Sequence, residues 1–448
     1  MLTPSRIIII FFIFLIGIGT LSLFFLTNSF GKDISFVDSL FTATSASCVT
    51  GLVVLNTGAD FPFISQLVIL LLIQAGGLGI VTFSAVYIFA FGQRANYEMR
   101  EVSRMSYTPG SKVKIGGVLK TIAIYTAIIE LAGAILLFLR WQSDYPFFDA
   151  LWYSFFHSIS AFCNAGFSLF KESFISYRFD PIINVVICAL IFLGGIGFFV
   201  IYELYEKIVS LKDFRFRKFS LHTKLVLTIT LWLLIIGFMG FMVFEWSNVL
   251  KGLPFYDKVL LSLFQSITPR TAGFNTVDMS SLTDSTLFLF VILMFIGASP
   301  GSTGGGIKTT SFGILLFSAI SKIRGEDSVL LYERRIKQSS INKVLTLVIL
   351  GMVLIVIITM LVTISEYGGI PHRGSEGRIF DVFFETVSAF GTVGLSVGIT
   401  PQLTYAGKLL IILTMFLGRI GPLTLAVVLS ERVKRSKISY PDEDVMIG

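Results

Sequence analysis

Apolar runs of about 20 residues follow one another along the whole chain and are separated by short polar or basic segments. A helix needs about 20 apolar residues to cross a bilayer core of about 30 Å. Strands of a membrane β-barrel would instead appear as alternating segments of about 10 residues, and this pattern is absent from the sequence. The pattern therefore predicts an all-α polytopic membrane protein. The first run, residues 7–26, is longer than the apolar core of a usual signal peptide and predicts a retained span.

A shorter element recurs four times between these runs. It ends in the strips SASCVTGL, SAFCNAGF, ITPRTAGF and SAFGTVGL, which align on Gly51, Gly166, Gly273 and Gly394. Each element has about 10–14 residues, which is too short to cross a membrane. Aspartate is a good helix N-cap, and one aspartate opens each element: Asp38, Asp149, Asp257 and Asp381. The pattern predicts four half-helices, each followed by a glycine loop.

The chain is interpreted as four tandem span–pore-loop–span units. The first spans are predicted at 6–27, 115–139, 222–246 and 343–366, and the second spans at 63–91, 181–209, 285–320 and 404–430. The units occupy residues 1–92, 113–209, 222–320 and 342–430, and a tail follows at 431–448. Eight spans place both termini and the linkers between units on one side of the membrane, which we expect to be the cytoplasmic side of the cell membrane.

The charge distribution agrees with this topology. The 448 residues are 54% hydrophobic and 14% charged, with a net charge of +7. Lysine and arginine concentrate in the segments 92–114, 207–224 and 322–343 and in the tail, as the positive-inside rule predicts for cytoplasmic loops. The three cysteines and three histidines are scattered and suggest neither a disulfide framework nor a metal or catalytic centre.

Four glycine loops at membrane depth predict convergence on a common axis, because non-helical backbone persists there only when protein buries it or water lines it. The alternative is four interfacial surface helices with tight turns. Converging half-helices would point their negative dipole ends at a cation. Glycine permits unusual backbone angles, so carbonyl oxygens could replace the hydration shell of an ion. The predicted filter consists of Val49, Thr50, Gly51, Asn164, Ala165, Gly166, Thr271, Ala272, Gly273, Thr392, Val393 and Gly394.

No aspartate or glutamate lies in these strips, which favours a monovalent ion over a divalent one. The four strips are unequal, so we expect looser selectivity than in a fourfold-identical channel, with some Na⁺ passage. The chain lacks a GxxxxGK[ST] phosphate loop, so nucleotide is not expected to bind to it.

Five segments together resemble the Trk/Ktr/HKT superfamily of potassium transporters, and most closely its KtrB-type bacterial membrane subunits. They are TATSASCVTGL (42–52), QAGGLG (74–79), TPRTAGF (268–274), GASPGSTGGGIKTT (297–310) and GRIGP (418–422). The resemblance covers nearly the whole chain. It implies potassium uptake through a single-chain pseudo-tetrameric pore. It also implies a homodimer on a cytosolic ring of KtrA-type subunits, which would bind the nucleotide.

Helix-breaking residues interrupt the second span of the third unit at 297–306, and broken spans often mark a transport pathway. The resemblance implies a gate loop here, at residues 298–307, and the alternative is a simple kink. The predicted gate residues are Ala298, Gly301, Ser302, Thr303, Gly304, Gly305, Gly306, Lys308 and Arg419.

Two basic residues belong to this predicted gate. Arg419 lies in the last apolar run, where a charge normally faces the bundle interior. The resemblance implies that it projects toward the pore and holds the loop, and the alternative is snorkelling to the cytoplasmic face. Lys308 could bond loop carbonyls or reach the cytoplasmic mouth.

Other polar residues in apolar surroundings are interpreted as structural. Arg270 precedes the third strip and is predicted to brace it from behind. Glu130 and Glu385 could each pair with a buried cation, whereas His157 and Cys163 are predicted to serve packing. The glycines that recur in the second spans are interpreted as positions of close packing, because small residues permit close helix approach, and the alternative is a hinge. They are Gly76, Gly77, Gly194, Gly195 and Gly418.

Three rival functions remain. One is a sodium-permeable cation transporter of the same superfamily. A secondary cation antiporter would need intramembrane acids as ion carriers, and the strips lack them. An intramembrane enzyme would need a nucleophile with a base, or a metal set, which the scattered histidines do not suggest. The sequence therefore favours transport over catalysis.

Overall fold

The computed structural model describes residues 4–91, 115–212, 219–326, 328–368 and 378–421. Most of the described chain is helical. In chain order the helices are α1 (Pro4–Ser29), α2 (Phe36–Ser47), α3 (Thr57–Asp60), α4 (Phe63–Phe91), α5 (Ile115–Trp141), α6 (Phe147–Phe162), α7 (Pro181–Gly195), α8 (Phe198–Lys212), α9 (Leu221–Phe244), α10 (Phe255–Ile267), α11 (Asp284–Phe295), α12 (Thr309–Ile323), α13 (Gln338–Tyr367), α14 (Arg378–Gly391) and α15 (Tyr405–Ile420).

Four long apolar helices open the four predicted units. Within the described residues, α1, α5, α9 and α13 are the single helices long and apolar enough to cross a membrane. Between 22% and 33% of the residues in their most apolar stretches are buried inside the molecule. Because most of their apolar surface faces outward, these helices are suited to contact lipid.

The half-helices α2, α6, α10 and α14 follow these spans, as the sequence predicts. The prediction that an aspartate caps each of them was wrong. Ser35 caps α2, and Pro146 and Pro254 occupy the cap positions of α6 and α10, so each aspartate lies inside the first turn. The fixed φ and missing N–H of proline suit a helix start, and an acid in the first turn still complements the helix dipole.

The second spans differ from one another. α4 is continuous, whereas the run 181–209, predicted as one span, is broken: α7 and α8 are bent by 99° around Ile196 and Gly197. The break between α11 and α12 agrees with the sequence. α15 ends at Ile420, and residues 422–448, which include the predicted tail, lie outside the described residues. Much of the predicted basic loops 92–114 and 207–224 also lies outside them.

A short antiparallel hairpin, β1 (Leu330–Leu331) and β2 (Arg334–Arg335), lies in the linker before α13. The sequence analysis does not predict it. Its Leu331 is buried in the apolar cluster of the third and fourth units, and the hydroxyl of Tyr332 contacts that of Thr228 on α9 at 2.6 Å. The hairpin therefore packs this linker against the third unit.

The helices pack in a cyclic order. The second span of each unit contacts the half-helix of the next unit, in the pairs α4–α6, α7–α10, α11–α14 and α15–α2. Apolar clusters cross the same boundaries: Phe41 of α2 shares a cluster with Ile358 of α13 and Met415 of α15. The last pair brings the end of the chain against its beginning. This order places the four glycine loops on the inside of the molecule.

Candidate cation pathway

The backbone of the four strips is unusual in the same way each time. The first residue of every strip has a left-handed conformation, with φ of 56° at Val49, 57° at Asn164, 66° at Thr271 and 49° at Thr392. The strip glycines are left-handed as well, with φ of 91°, 72°, 76° and 92° in chain order. Such angles are costly for valine and threonine, so the surrounding structure must hold them in place.

The ends of the half-helices impose this geometry. After α2, the amide of Val49 donates to Ala46 O (3.1 Å) and that of Thr50 to Ser45 O (2.8 Å). This pair of bonds defines a Schellman helix end, which requires a left-handed residue. The same pair follows α6 and α14, whereas after α10 the amide of Ala272 donates to Thr268 O (3.0 Å) instead. The first, second and fourth strips therefore begin with the same turn, whereas the third strip begins with a different one.

The four strips meet at one place, and their glycines face carbonyl oxygens. A Cβ placed on Gly51 would lie 2.5 Å from Ala165 O, and one on Gly166 would lie 2.9 Å from Ala272 O. On Gly273 it would lie 2.3 Å from Val393 O, and on Gly394 it would lie 2.3 Å from Thr50 O. Each strip thus presents the carbonyl oxygen of its second residue to the glycine of the preceding strip. The first strip presents its oxygen to the glycine of the fourth, so the four strips form a closed ring of contacts. The predicted filter residues are brought together by the structure.

Hydroxyl groups hold the strips from behind. Ser45 Oγ accepts from Gly51 N and Ser388 Oγ from Gly394 N, each at 3.1 Å. Ser160 Oγ donates to Phe167 O at 2.8 Å, and Thr268 donates to Phe274 O. These bonds satisfy backbone groups on the outer side of the strips, so the remaining carbonyl oxygens can face inward.

Two buried side chains hold the segments that follow the strips. His157 Nε2 accepts from Leu169 N at 3.2 Å, which agrees with the predicted packing role. At the aligned position of the fourth unit, Glu385 accepts from the hydroxyls of Ser396 and Thr400. The aligned positions of the first and third units hold Thr42 and Phe264. Sequence reasoning missed this shared role, although the alignment on the strip glycines pairs the two residues.

The suggestion that Glu130 and Glu385 pair with buried cations was wrong for the described part of the chain. Glu130 Oε2 instead accepts from Gln74 Nε2 at 3.1 Å, and its other carboxylate oxygen lies near Cys163. Neither glutamate forms a salt bridge with a described basic side chain. Cys163 packs against Gly77, where a Cβ would lie 2.9 Å from its Sγ.

Residues 298–307, named here the intramembrane loop, lie directly against the strips. A Cβ on Gly304 would lie 2.1 Å from Thr271 Oγ1, and one on Gly305 would lie 2.2 Å from Thr392 Oγ1. A parallel bridge between Ile296 and Ile307 closes the loop at its base. The segment is therefore a loop that folds back under the third and fourth strips, and a simple kink does not describe it.

The intramembrane loop is fastened to the break in the second unit. Ser299 N donates to Gly195 O (3.1 Å) and Thr303 N to Gly194 O (3.3 Å), while Phe198 N donates to Gly301 O (3.0 Å). Helix interruption frees these carbonyl and amide groups. The break between α7 and α8, which sequence reasoning missed, supplies the hydrogen-bond partners of the loop.

Two cationic side chains, the buried Arg419 and the half-buried Lys308, hold the loop. Arg419 is 5% exposed, and its two terminal nitrogens donate to Thr303 O and to Gly76 O, the latter at 2.6 Å. Lys308 Nζ donates to Gly304 O at 2.7 Å. The alternatives in which Arg419 snorkels and Lys308 reaches the cytoplasmic mouth are therefore not adopted. Of the other predicted gate residues, Ala298 bonds through its amide to Gly305 O (3.3 Å) and Ser302 through its hydroxyl to Ser299 O (2.6 Å).

Three recurring glycines make the same close contact. A Cβ would lie 1.9 Å from Ser47 O at Gly76, 1.8 Å from Phe162 O at Gly194 and 2.0 Å from Phe390 O at Gly418. The second spans of the first, second and fourth units thus each touch the end of their own half-helix at a glycine, in agreement with the predicted packing role.

Comparison with known proteins finds similar cation transport proteins. Residues 1–439 match the family described as "TrkH: Cation transport protein". The chain is 40% identical over 448 residues to "Ktr system potassium uptake protein B" of Bacillus subtilis, covering 100% of this chain and 97% of the relative. It is 35% identical over 445 residues to "Potassium/sodium uptake protein NtpJ" of Enterococcus hirae, covering 98% and 95%.

The crystal structure of TrkH from Vibrio parahaemolyticus has the same fold. It superposes with a TM-score of 0.75 at 18% identity, covering 96% of this chain and 85% of that one. A helical membrane transporter of cations is the class that fold and family together define. This chain belongs to the Trk/Ktr family of potassium and cation transport proteins, as its sequence segments predict.

Proposed function

We propose that this chain takes up potassium across the cell membrane through a pseudo-tetrameric pore formed by its four units. The strips 49–51, 164–166, 271–273 and 392–394 would form the selectivity filter and bind K⁺ through backbone carbonyls. The observation that carries the proposal is the closed order in which each strip presents a carbonyl oxygen to the glycine of the preceding strip, and the first strip to the glycine of the fourth. The units would have the boundaries predicted from the sequence, with both termini in the cytoplasm.

The chemistry of the strips suits an alkali cation. Four half-helices end at the strips, so the negative ends of their dipoles favour a cation there. Carbonyl dipoles can replace the hydration shell of a monovalent ion, and the strips contain no carboxylate. The Bacillus subtilis relative is named for potassium uptake, which supports K⁺ as the preferred ion.

A sodium-permeable transporter of the same family is the second candidate. The Enterococcus hirae relative is named for both potassium and sodium uptake. The four strips differ in sequence, and the third also differs in its helix-end hydrogen bonds. Unequal coordination weakens discrimination between ions of similar charge. We expect K⁺ to be preferred with measurable Na⁺ passage.

The intramembrane loop would gate this pathway. It contacts the first residues of two strips, and Arg419 and Lys308 fix its carbonyls from below. In this position the loop obstructs an ion that leaves the filter, and two positive charges beside it oppose a cation. Release of the loop would therefore open the path.

Regulation of transport would come from a partner protein. Relatives named as parts of a "Ktr system" support the presence of partner subunits. We propose that the chain forms a homodimer that docks on a cytosolic KtrA-type ring, where the nucleotide would bind. The basic segments between units would contribute to that docking face, beside their role in topology and in contacts with anionic lipid.

Complementation of a potassium-uptake-deficient bacterium tests the proposal. The wild-type chain, expressed with its ring partner, should restore growth at low K⁺. Gly→Ser changes at the four strip glycines should each reduce K⁺ uptake and the K⁺/Na⁺ permeability ratio. Unchanged ratios in all four variants would contradict a carbonyl filter, and proton counterflow coupled to K⁺ would favour an antiporter.

A further inference from the structure

Arg270 is a buried cation with few partners. It follows α10, directly before the third strip, and is 8% exposed. The hydrogen bond that the structure shows for its guanidinium is a long one, from NH2 to Thr230 Oγ1 at 3.5 Å, and its Nε has no acceptor among the described residues. No described carboxylate forms a salt bridge with it.

The other cationic side chains of this region, the buried Arg419 and the half-buried Lys308, are bonded differently. Arg419 uses both terminal nitrogens on backbone carbonyls, and Lys308 uses its ammonium on another. A charge taken out of water costs several kcal/mol unless it is paired or fully hydrogen-bonded, and buried charges are normally paired. The environment of Arg270 therefore lacks the counter-charge or acceptors that its burial requires.

A cavity lies beside this side chain. It has a volume of about 20 Å³ and is lined by Arg270 and Thr230, by Ala298 of the intramembrane loop, and by apolar groups that include Ile196 and Leu234. About 10–15 Å³ is enough for one water-sized particle. The cavity thus has somewhat more room than one water molecule needs, and its polar groups are Thr230 of α9 and Arg270, which follows α10.

Both polar groups can donate to the same occupant. The guanidinium is a pure donor. Thr230 Oγ1 accepts from Arg270, and the hydroxyl proton of Thr230 has no acceptor in the described part of the chain, unlike that of Thr386, which bonds Val382 O at 2.8 Å. An occupant that accepts from both groups while carrying a negative charge satisfies the site. Guanidinium groups are weakly hydrated, so they pair well with a weakly hydrated anion.

We propose that this cavity binds one monovalent halide ion, held by Arg270 and Thr230. The anion neutralises a positive charge directly behind the third strip, where that charge would otherwise repel an entering cation. Because Ala298 forms part of the wall, the occupied cavity also supports the intramembrane loop. The site is separate from the filter and does not depend on which cation is transported.

Bromide is a halide that can take the place of chloride, and its anomalous scattering allows it to be located directly in a crystal. Crystals of the full chain grown in bromide should show an anomalous peak within hydrogen-bond distance of the Arg270 guanidinium and of Thr230 Oγ1. A water or empty density at this position, without an anomalous peak, would overturn the proposal. This readout involves no potassium flux, so it remains valid whether or not the proposed filter is correct.

Thermal unfolding gives a second readout in solution. The purified wild-type protein should melt about 1–3 °C higher in sodium chloride than in sodium gluconate of equal ionic strength, because a ligand that binds only the folded state stabilises it. The difference should vanish in Thr230→Val. It should persist in Thr359→Val, which removes a buried hydroxyl of α13 that has no partner among the described residues. Equal melting temperatures in the two salts for the wild type would contradict an anion site.

Discussion

The strip glycines differ in how closely the neighbouring carbonyl oxygen approaches. A Cβ would lie 2.3 Å from that oxygen at Gly273 and Gly394, 2.5 Å at Gly51 and 2.9 Å at Gly166. Overpacking costs about 1–3 kcal/mol, and 1.4 kcal/mol is a factor of about ten. Alanine at Gly273 or Gly394 should therefore reduce K⁺ uptake and the K⁺/Na⁺ ratio about tenfold or more, whereas Gly166→Ala should have the mildest effect.

A matched control exists in the first span. Gly17 has no neighbouring atom within 4 Å of an added Cβ, and alanine is the better helix former. Gly17→Ala should leave uptake and selectivity unchanged. Equal losses at all four strip glycines, without the order given by the distances, would contradict the close contacts.

Arg419 donates charge-assisted hydrogen bonds to the intramembrane loop and to α4. Bonds to charged groups contribute about 1.5–3 kcal/mol each, so Arg419→Ala should shift the loop toward release and raise K⁺ uptake per molecule by about tenfold. Arg419→Lys should give a smaller rise, because an ammonium lacks the planar fork that reaches both carbonyls. Ion flux into proteoliposomes with a known amount of folded protein measures both. Uptake at the wild-type level in Arg419→Ala would mean that the arginine does not restrain the loop.

At the scale of elements, the break between α7 and α8 should hold the intramembrane loop in its position against the strips. Gly197 has a φ of 97°, and a Cβ there would lie 2.6 Å from Pro300 O. Gly197→Ala should push the loop away from the second unit and raise resting K⁺ flux, in the same direction as Arg419→Ala. Gly252→Ala is the control, because Gly252 is also left-handed (φ 76°) but has no atom within 4 Å of an added Cβ. If Gly197→Ala and Gly252→Ala change K⁺ flux alike, backbone strain and not the clash with Pro300 O is responsible.

The sequence predicts only one of the two helix breaks that form this contact. The breakers at 297–306 identify the interruption of the third unit, because so many glycines cannot continue a helix. The pairs Gly76-Gly77 and Gly194-Gly195 look alike, yet α4 continues through the first and α7 ends at the second. What distinguishes them is the intramembrane loop, whose amides bond the carbonyls of Gly194 and Gly195. A contact so distant along the chain leaves no local signal.

The half-helices, too, are predicted by the sequence only in part. Their length and glycine ends are local properties, so the sequence predicts their existence and the residues that come together. Their starts were misplaced because aspartate suits both the cap and the first turn. The roles of His157 and Glu385 depend on the path of the segments after the strips, which the sequence does not reveal.

At the scale of the whole molecule, the cyclic packing must close between the last unit and the first. α15 contacts α2, and Lys408 Nζ bonds Asp38 Oδ1 at 2.6 Å across this boundary. The two side chains are 12% and 17% exposed, so water screens the pair less than a fully exposed one. This ion pair joins residues far apart in the chain and therefore helps to fix the closure that brings the four strips together.

A double-mutant cycle tests the closure. Asp38→Asn and Lys408→Gln should each lower the melting temperature, and the double variant should lose less than the sum, with a coupling of about 1 kcal/mol. Asp149→Asn changes the equivalent aspartate of the second unit, which is exposed and has no salt bridge in the described residues, and should have little effect. Because the strips meet only when the fourth unit packs on the first, the two single variants should also lower the K⁺/Na⁺ permeability ratio. Strictly additive losses in the cycle, with wild-type selectivity, would show that the apolar contacts between α15 and α2 close the molecule without this pair.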